Sequence, residues 1–230
     1  MGEMKDLLPV EVKYPQEIKC PVVLLLDTSY SMHGEPMKLL NEGVGLLFKE
    51  ISNDHKARKR VELAIITFGG SVKIAHNFSV VEDYQFKPYE ADGETPMGHA
   101  ILEGLELLEE RKKQYKSEGI AYYRPWLVLM TDGYPTDMEP KEGDSLWQEV
   151  RKMIQQAENE KRVICWAFGV EGADMTALFA LFANKRVFKL KGFPFKEIFL
   201  WLSSSIGRVI GSKPGEKVVI DVPPGIVVEV

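Results

Sequence analysis

Cysteine is scarce: the chain has two in 230 residues, Cys20 and Cys165, far apart in sequence. That excludes a disulfide-stapled scaffold, a Cys-x-x-Cys redox pair and a zinc knuckle. It leaves two small apolar residues in segments that read as buried. Positive charge is not in excess either. Lys plus Arg number 29 against 34 Asp plus Glu, a net charge of −5, whereas general nucleic-acid binding wants a basic footprint. No apolar run approaches the ~20 residues of a membrane-spanning helix. The opening MGEMKDLLPVEVKY has no basic segment followed by an apolar one, and Asp6 stands where an N-myristoylation motif wants Ser or Thr. Internal repeats and low-complexity linkers are missing. What remains is ordinary globular composition, 45% hydrophobic and 27% charged, in a length that fits one large domain better than two. The expectation is a soluble cytoplasmic protein with no nucleic-acid and no membrane partner.

Short apolar runs alternate with helical periodicity. Val22 to Leu26 is a continuous apolar run ending at Asp27, the pattern of a strand covered on both faces. Met37, Leu40, Val44, Leu47, Phe48 and Ile51 form a helical stripe opened by Pro36. Val61 to Phe68 reads as a strand, stopped by Gly69-Gly70, with Ser71 to Ala75 returning as an antiparallel partner at a sheet edge. A helix through Met97, Ile101, Leu105 and Leu108 precedes a strand from Trp126 to Met130. Ser145-x-x-Gln148 looks like a capping box for a helix carrying Leu146, Val150, Ile154 and Ala157. Strands at 163–170 and 187–190 and helices at 175–182 and about 198–209 complete the alternation. The fold class is therefore α/β: a doubly wound, mostly parallel sheet with one antiparallel edge strand and helices on both faces. Residues 1–19 read as an extended lead-in, 20–210 as the domain, and 211–230 as a C-terminal β-rich extension. Within the extension, Lys217 to Val230 places β-rich stretches around Pro223-Pro224-Gly225; a hairpin on the domain is favoured over pairing with a partner's sheet edge.

In an open α/β sheet, ligands bind beyond the carboxyl ends of the strands, near the point where strand order reverses. After the first strand comes Asp27-Thr28-Ser29-Tyr30-Ser31; in an extended stretch positions 27, 29 and 31 point the same way. A second carboxylate, Asp132, follows the strand that ends at Met130, with Gly133 behind it. Thr95 lies between them, just before a helix. All these groups offer oxygen and none offers sulfur or imidazole, the ligand set of a hard cation of octahedral habit. Mg²⁺ is favoured, Mn²⁺ is the near competitor, and Ca²⁺ fits less well because it takes more ligands.

Asp27-x-Ser29-x-Ser31, Thr95 in Gly-x-Thr-Pro-x-Gly, and Asp132 in Thr-Asp-Gly together resemble the metal-ion-dependent adhesion site of von Willebrand factor type A domains, over roughly residues 20 to 210. Thr131 to Asp137, Thr-Asp-Gly-x-Pro-Thr-Asp, is similar to the TerY-type tellurium-resistance branch. The resemblance implies a Rossmann-like fold and metal binding in which Ser29 and Ser31 coordinate directly. It implies that Thr95 does so directly or through water, while Asp27 and Asp132 act largely through water. It further implies a protein partner that supplies an Asp or Glu carboxylate, and a place in tellurite or other stress response.

Simpler readings stand beside this one. Asp27 and Ser29 alone could stabilise a loop, and Thr95 could cap a helix. His33, His99 and Glu94 are read as neighbours rather than ligands, and His55 to Arg60 as a solvated loop. A Mg²⁺-dependent phosphohydrolase is the enzymatic rival. Its haloacid-dehalogenase form needs an Asp where Ser29 stands, and Gly207 to Lys213 has the wrong spacing for a P-loop. No Gly-x-Ser-x-Gly elbow or Gly-x-Gly-x-x-Gly turn is present. The expectation is a binding module, not an enzyme, with a purely structural metal as the third reading.

Overall fold

The computed structural model describes residues 10–182 and 186–221. Six strands form the sheet: β1 (Cys20–Asp27), β2 (Val61–Gly69), β3 (Ser71–Ser79), β4 (Trp126–Thr131), β5 (Ile164–Gly169) and β6 (Val187–Lys189). Their order is β3-β2-β1-β4-β5-β6, parallel throughout except for the antiparallel β2–β3 edge pair. The helices are α1 (Glu35–Asn53), the short α2 (Ala57–Arg60), α3 (Met97–Ser117), α4 (Ser145–Asn159), α5 (Met175–Phe182) and α6 (Phe195–Gly211).

Strand alternation explains the two layers of helices. In β1 the side chains of Val22, Leu24 and Leu26 enter one core with α1 and α6, while Val23 and Leu25 enter another with α3, α4 and α5. A strand buried on both faces is apolar at nearly every position, with polar residues only where they find partners near its ends, which is why these segments read as continuous runs. Helices α1 and α6 pack closely because Gly43 has no side chain: a Cβ there would stand 2.5 Å from the Phe199 ring. Strand order reverses at β1, with β2 on one side and β4 on the other, so a crevice opens beyond the carboxyl ends of β1 and β4.

The opposite end of the sheet holds a buried polar network. Glu62, at the start of β2, accepts from Arg111 Nε at 2.8 Å and from the Tyr115 hydroxyl at 2.5 Å, both on α3. Lys19 Nζ lies 3.7 Å from the other Glu62 oxygen and donates to the carbonyls of Lys59 and Lys13. Arg111 also donates to Val10 O at 2.6 Å, so the network ties the lead-in to the domain. Burial pushes the Lys19 ammonium below the usual lysine range and the Tyr115 phenol above its own.

Three local expectations are corrected. The N-cap of α4 is Asp144, whose carboxylate accepts from Trp147 N at 2.8 Å, rather than Ser145, which is the first helical residue. Asp forms the same cap one residue earlier, so the Ser-x-x-Gln spacing was coincidental. Residues 57–60 form a helical turn instead of a loop, because the Asp54 carboxylate takes the N–H groups of Lys56 and Ala57. In the C-terminal extension, residues 217–221 form no strand; the indole of Trp201 donates to Asp221 O at 2.7 Å. The rest of the expected hairpin, 222–230, lies outside the described residues. Cys20 and Cys165 are both buried free thiols.

Candidate functional site

Five oxygen-bearing side chains foreseen from sequence meet in the crevice beyond β1 and β4. Asp27 is the last residue of β1 and is fully buried. One of its carboxylate oxygens accepts from Ser29 N at 2.9 Å, and the other from Thr131 Oγ1 at 2.5 Å. The chain then leaves the extended conformation: Ser29 is extended, but Tyr30–Met32 forms a 3₁₀ turn. Ser29 and Ser31 therefore share a face through a turn, not through strand alternation as the spacing implied. Their hydroxyl oxygens lie 3.0 Å apart, and Ser31 Oγ donates to Asp132 Oδ1 at 2.8 Å. An ideal Cβ on Gly133 would sit 3.3 Å from Thr95 Oγ1 and 3.4 Å from Asp27 Oδ2, which places both atoms beside that backbone.

Backbone contacts hold the three loops together. A Cβ on Gly69 would stand 2.1 Å from Thr28 O, and one on Gly93, whose φ is +65°, 2.4 Å from Gly70 Cα. Only glycine lets these chains touch. Tyr30 N donates to Gly93 O at 2.9 Å, and Asp92 N to Thr28 O at 2.8 Å. The Thr95 loop is stitched to the segment after β4 by a reciprocal pair: Thr95 N donates to Thr136 Oγ1, and Thr136 N to Thr95 O, each at 3.0 Å. Asp137 then accepts from the N–H groups of Gly98 and His99 at the start of α3, and contacts His99 Nδ1 at 2.7 Å.

Thr131, Thr136 and Asp137 thus position the site, roles that the Thr131–Asp137 motif does not reveal by itself. The signal available was a hydroxyl or carboxylate at each of these positions on a loop following a buried strand. Thr136→Val is expected to lower stability by about 1 kcal/mol by leaving Thr95 N–H without its acceptor. Thr136→Ser should retain it; urea unfolding of both variants measures the difference. Glu94 is exposed beside Thr95 and His33 stacks on Tyr30, so neither joins the oxygen cluster.

Burial pushes the Asp27 carboxyl up to about 6, against the pull of its hydrogen bonds from Ser29 and Thr131, and burial raises Asp132 as well. Among the described residues neither carboxylate forms an ion pair with a Lys, Arg or His. Two desolvated carboxylates with aligned hydroxyls and no counter-charge fit a small hard cation. Among the described residues no group of three or more His, Cys, Asp or Glu forms a metal cage, so a zinc-type site built from those residues has no candidate there.

The family model of the von Willebrand factor type A domain matches residues 22–199. The chain belongs to that family. No curated protein sequence matches it. Among solved structures, this von Willebrand A domain resembles the pilus adhesin SpaC from Lactobacillus rhamnosus GG in its open conformation (TM-score 0.60, 15% identity, covering 84% of this chain and 30% of that one). It also resembles the ArnB paralog VWA2 from Sulfolobus acidocaldarius (0.53, 17%, 82% and 45%). A third is proximal thread matrix protein 1 from the mussel byssus, solved with a zinc-occupied metal-ion-dependent adhesion motif (0.53, 18%, 83% and 48%). The von Willebrand A chain spans about half or less of each of these, and at such identities they show the shared fold. No helix among its described residues is long and apolar enough to cross a membrane.

Proposed function

We propose that the domain is a non-enzymatic docking module that binds Mg²⁺, with Mn²⁺ as substitute, at Asp27, Ser29, Ser31, Thr95 and Asp132, and uses it to capture an Asp or Glu of a protein partner. The observation that carries this reading is the hydroxyl chain Ser29–Ser31–Asp132 beside Asp27, which is buried and forms no ion pair among the described residues. When bound, the cation supplies an electrophilic centre for the partner's carboxylate. The chain's own part is to keep hydroxyls toward that centre and to hold Asp27 back through Ser29 N and Thr131, so that carboxylate charge does not quench it. Zinc at the corresponding motif of the mussel protein supports a divalent ion here. The pilus adhesin SpaC supports an adhesive docking role. The Thr131–Asp137 segment supports a TerY-like assignment and a role in tellurite or other stress response within the cytoplasm.

Calorimetric titration of Mg²⁺ and Mn²⁺ into metal-stripped protein should give saturable one-to-one binding. The peptide acetyl-Gly-Glu-Gly-amide should tighten it, because two ligands that favour the same site assist each other reciprocally. Absence of binding with and without peptide sinks the proposal. Metal affinity indifferent to peptide favours a structural ion, and Mg²⁺-dependent turnover of p-nitrophenyl phosphate that is lost on removing Ser29 and Ser31 favours the phosphohydrolase.

A further inference from the structure

Few large apolar side chains are exposed among the described residues, and two of them, Tyr30 at 70% and Tyr134 at 51%, sit on the loops of the oxygen cluster. Tyr30 lies between Ser29 and Ser31; Tyr134 follows Asp132 and Gly133. The ring of Tyr30 stacks only on His33, with 5.9 Å between centroids, itself an exposed residue. Aromatic side chains left in water on either side of a binding crevice are the anchors that protein interfaces use, because each covers much area at a low cost in rotamer entropy.

The same rim is acidic. Tyr30 N is bonded to Gly93 O, which places the exposed Asp92 and Glu94 beside the first tyrosine. On the other side, a Cβ on Gly172 would stand 2.6 Å from the backbone Asp132 O, and Glu171 N is bonded to Gly192 O, so the exposed Glu171 there has the exposed Lys191 close by in the chain segment it meets. Asp92 and Glu94 form no ion pair with any described residue, whereas Glu139 is paired with Lys141. An incoming carboxylate with acidic neighbours would be repelled by this rim, and one with basic neighbours drawn in.

We infer that the partner segment presents its docking carboxylate flanked by apolar side chains, which cover Tyr30 and Tyr134, and by Lys or Arg, which face Asp92 and Glu94. This rests on the docking reading above and adds the partner's chemistry to it.

Two fluorescein-labelled peptides test it by anisotropy on Mn²⁺-loaded protein: Lys-Leu-Asp-Leu-Lys and Glu-Ser-Asp-Ser-Glu. The first should bind at least about tenfold more tightly. Tyr30→Ser/Tyr134→Ser should weaken it about tenfold or more, while calorimetric binding of Mn²⁺ alone stays at the wild-type value. Lys-Leu-Asn-Leu-Lys should bind at least about tenfold more weakly than its Asp counterpart. Equal affinity for the first two peptides, an unaffected double-tyrosine variant, or no peptide binding to Mn²⁺-loaded protein each overturns the inference alone, whereas an Asn peptide as good as the Asp one overturns the docking reading with it. Failure of the wild type to bind Mn²⁺ overturns the docking reading and the inference together.

Discussion

Ser29→Ala/Ser31→Ala is expected to lower Mg²⁺ and Mn²⁺ affinity by about a hundredfold or more while leaving the fold in place. The two hydroxyls lie 3.0 Å apart and one of them donates to Asp132, so removing both deletes two of the three neutral donors and the tether that orients the second carboxylate. The cost to stability should stay below about 1 kcal/mol. Ser31 is exposed, and neither hydroxyl is the partner of a buried backbone donor or acceptor in the cluster. Asp27 makes a poorer probe, because its carboxylate satisfies both Ser29 N–H and the Thr131 hydroxyl, and truncation would orphan them. Calorimetry for the metal and thermal unfolding for the fold separate the two effects. Wild-type affinity in the double variant would mean that the cation, if bound, sits elsewhere.

Glu62→Ala is expected to lower unfolding stability by about 3–5 kcal/mol, the cost of stranding buried cations. Glu62 is 1% exposed, with Arg111 bonded to it and Lys19 3.7 Å away, and the Tyr115 hydroxyl also donates to it. Removing the anion leaves a guanidinium and an ammonium without their counter-charge in a region that water does not reach. The triple variant Lys19→Met/Glu62→Leu/Arg111→Met should recover part of the loss, because apolar side chains of similar volume carry no charge to desolvate, while the buried Tyr115 hydroxyl is left without its acceptor. Urea unfolding of the single and triple variants at pH 7 decides the matter. A single-variant loss under about 1 kcal/mol would show that the pocket opens readily to water. Metal affinity should not change in either variant. Glu62 begins β2 and the oxygen cluster lies past the strand ends, about 20 Å along the strand direction at ~3.3 Å per residue.

Local patterns made much of this molecule legible before any coordinates. Continuous apolar runs marked β1 and β4 because strands covered on both faces leave little room for polar residues. The 3.6-residue stripes marked α1, α3 and α4 because each helix hides one face. Boundaries were read less well where short polar side chains compete for the same backbone donor. Asp144 rather than Ser145 caps α4, and Asp54 turns 57–60 into a helical turn.

Sequence by itself determined the α/β alternation, the antiparallel edge and the identity of the five oxygen-bearing candidates, because spacing and residue chemistry are local properties. Tertiary structure alone decided how those candidates meet. Ser31 reaches Asp132 through a 3₁₀ turn, Thr136 and Asp137 fasten the Thr95 loop, and Gly69 and Gly93 let three loops touch. The same holds for the Lys19–Glu62–Arg111 network and for the exposure of Tyr30 and Tyr134. Burial and contact depend on residues far apart in the chain, and a linear pattern carries no distance between them.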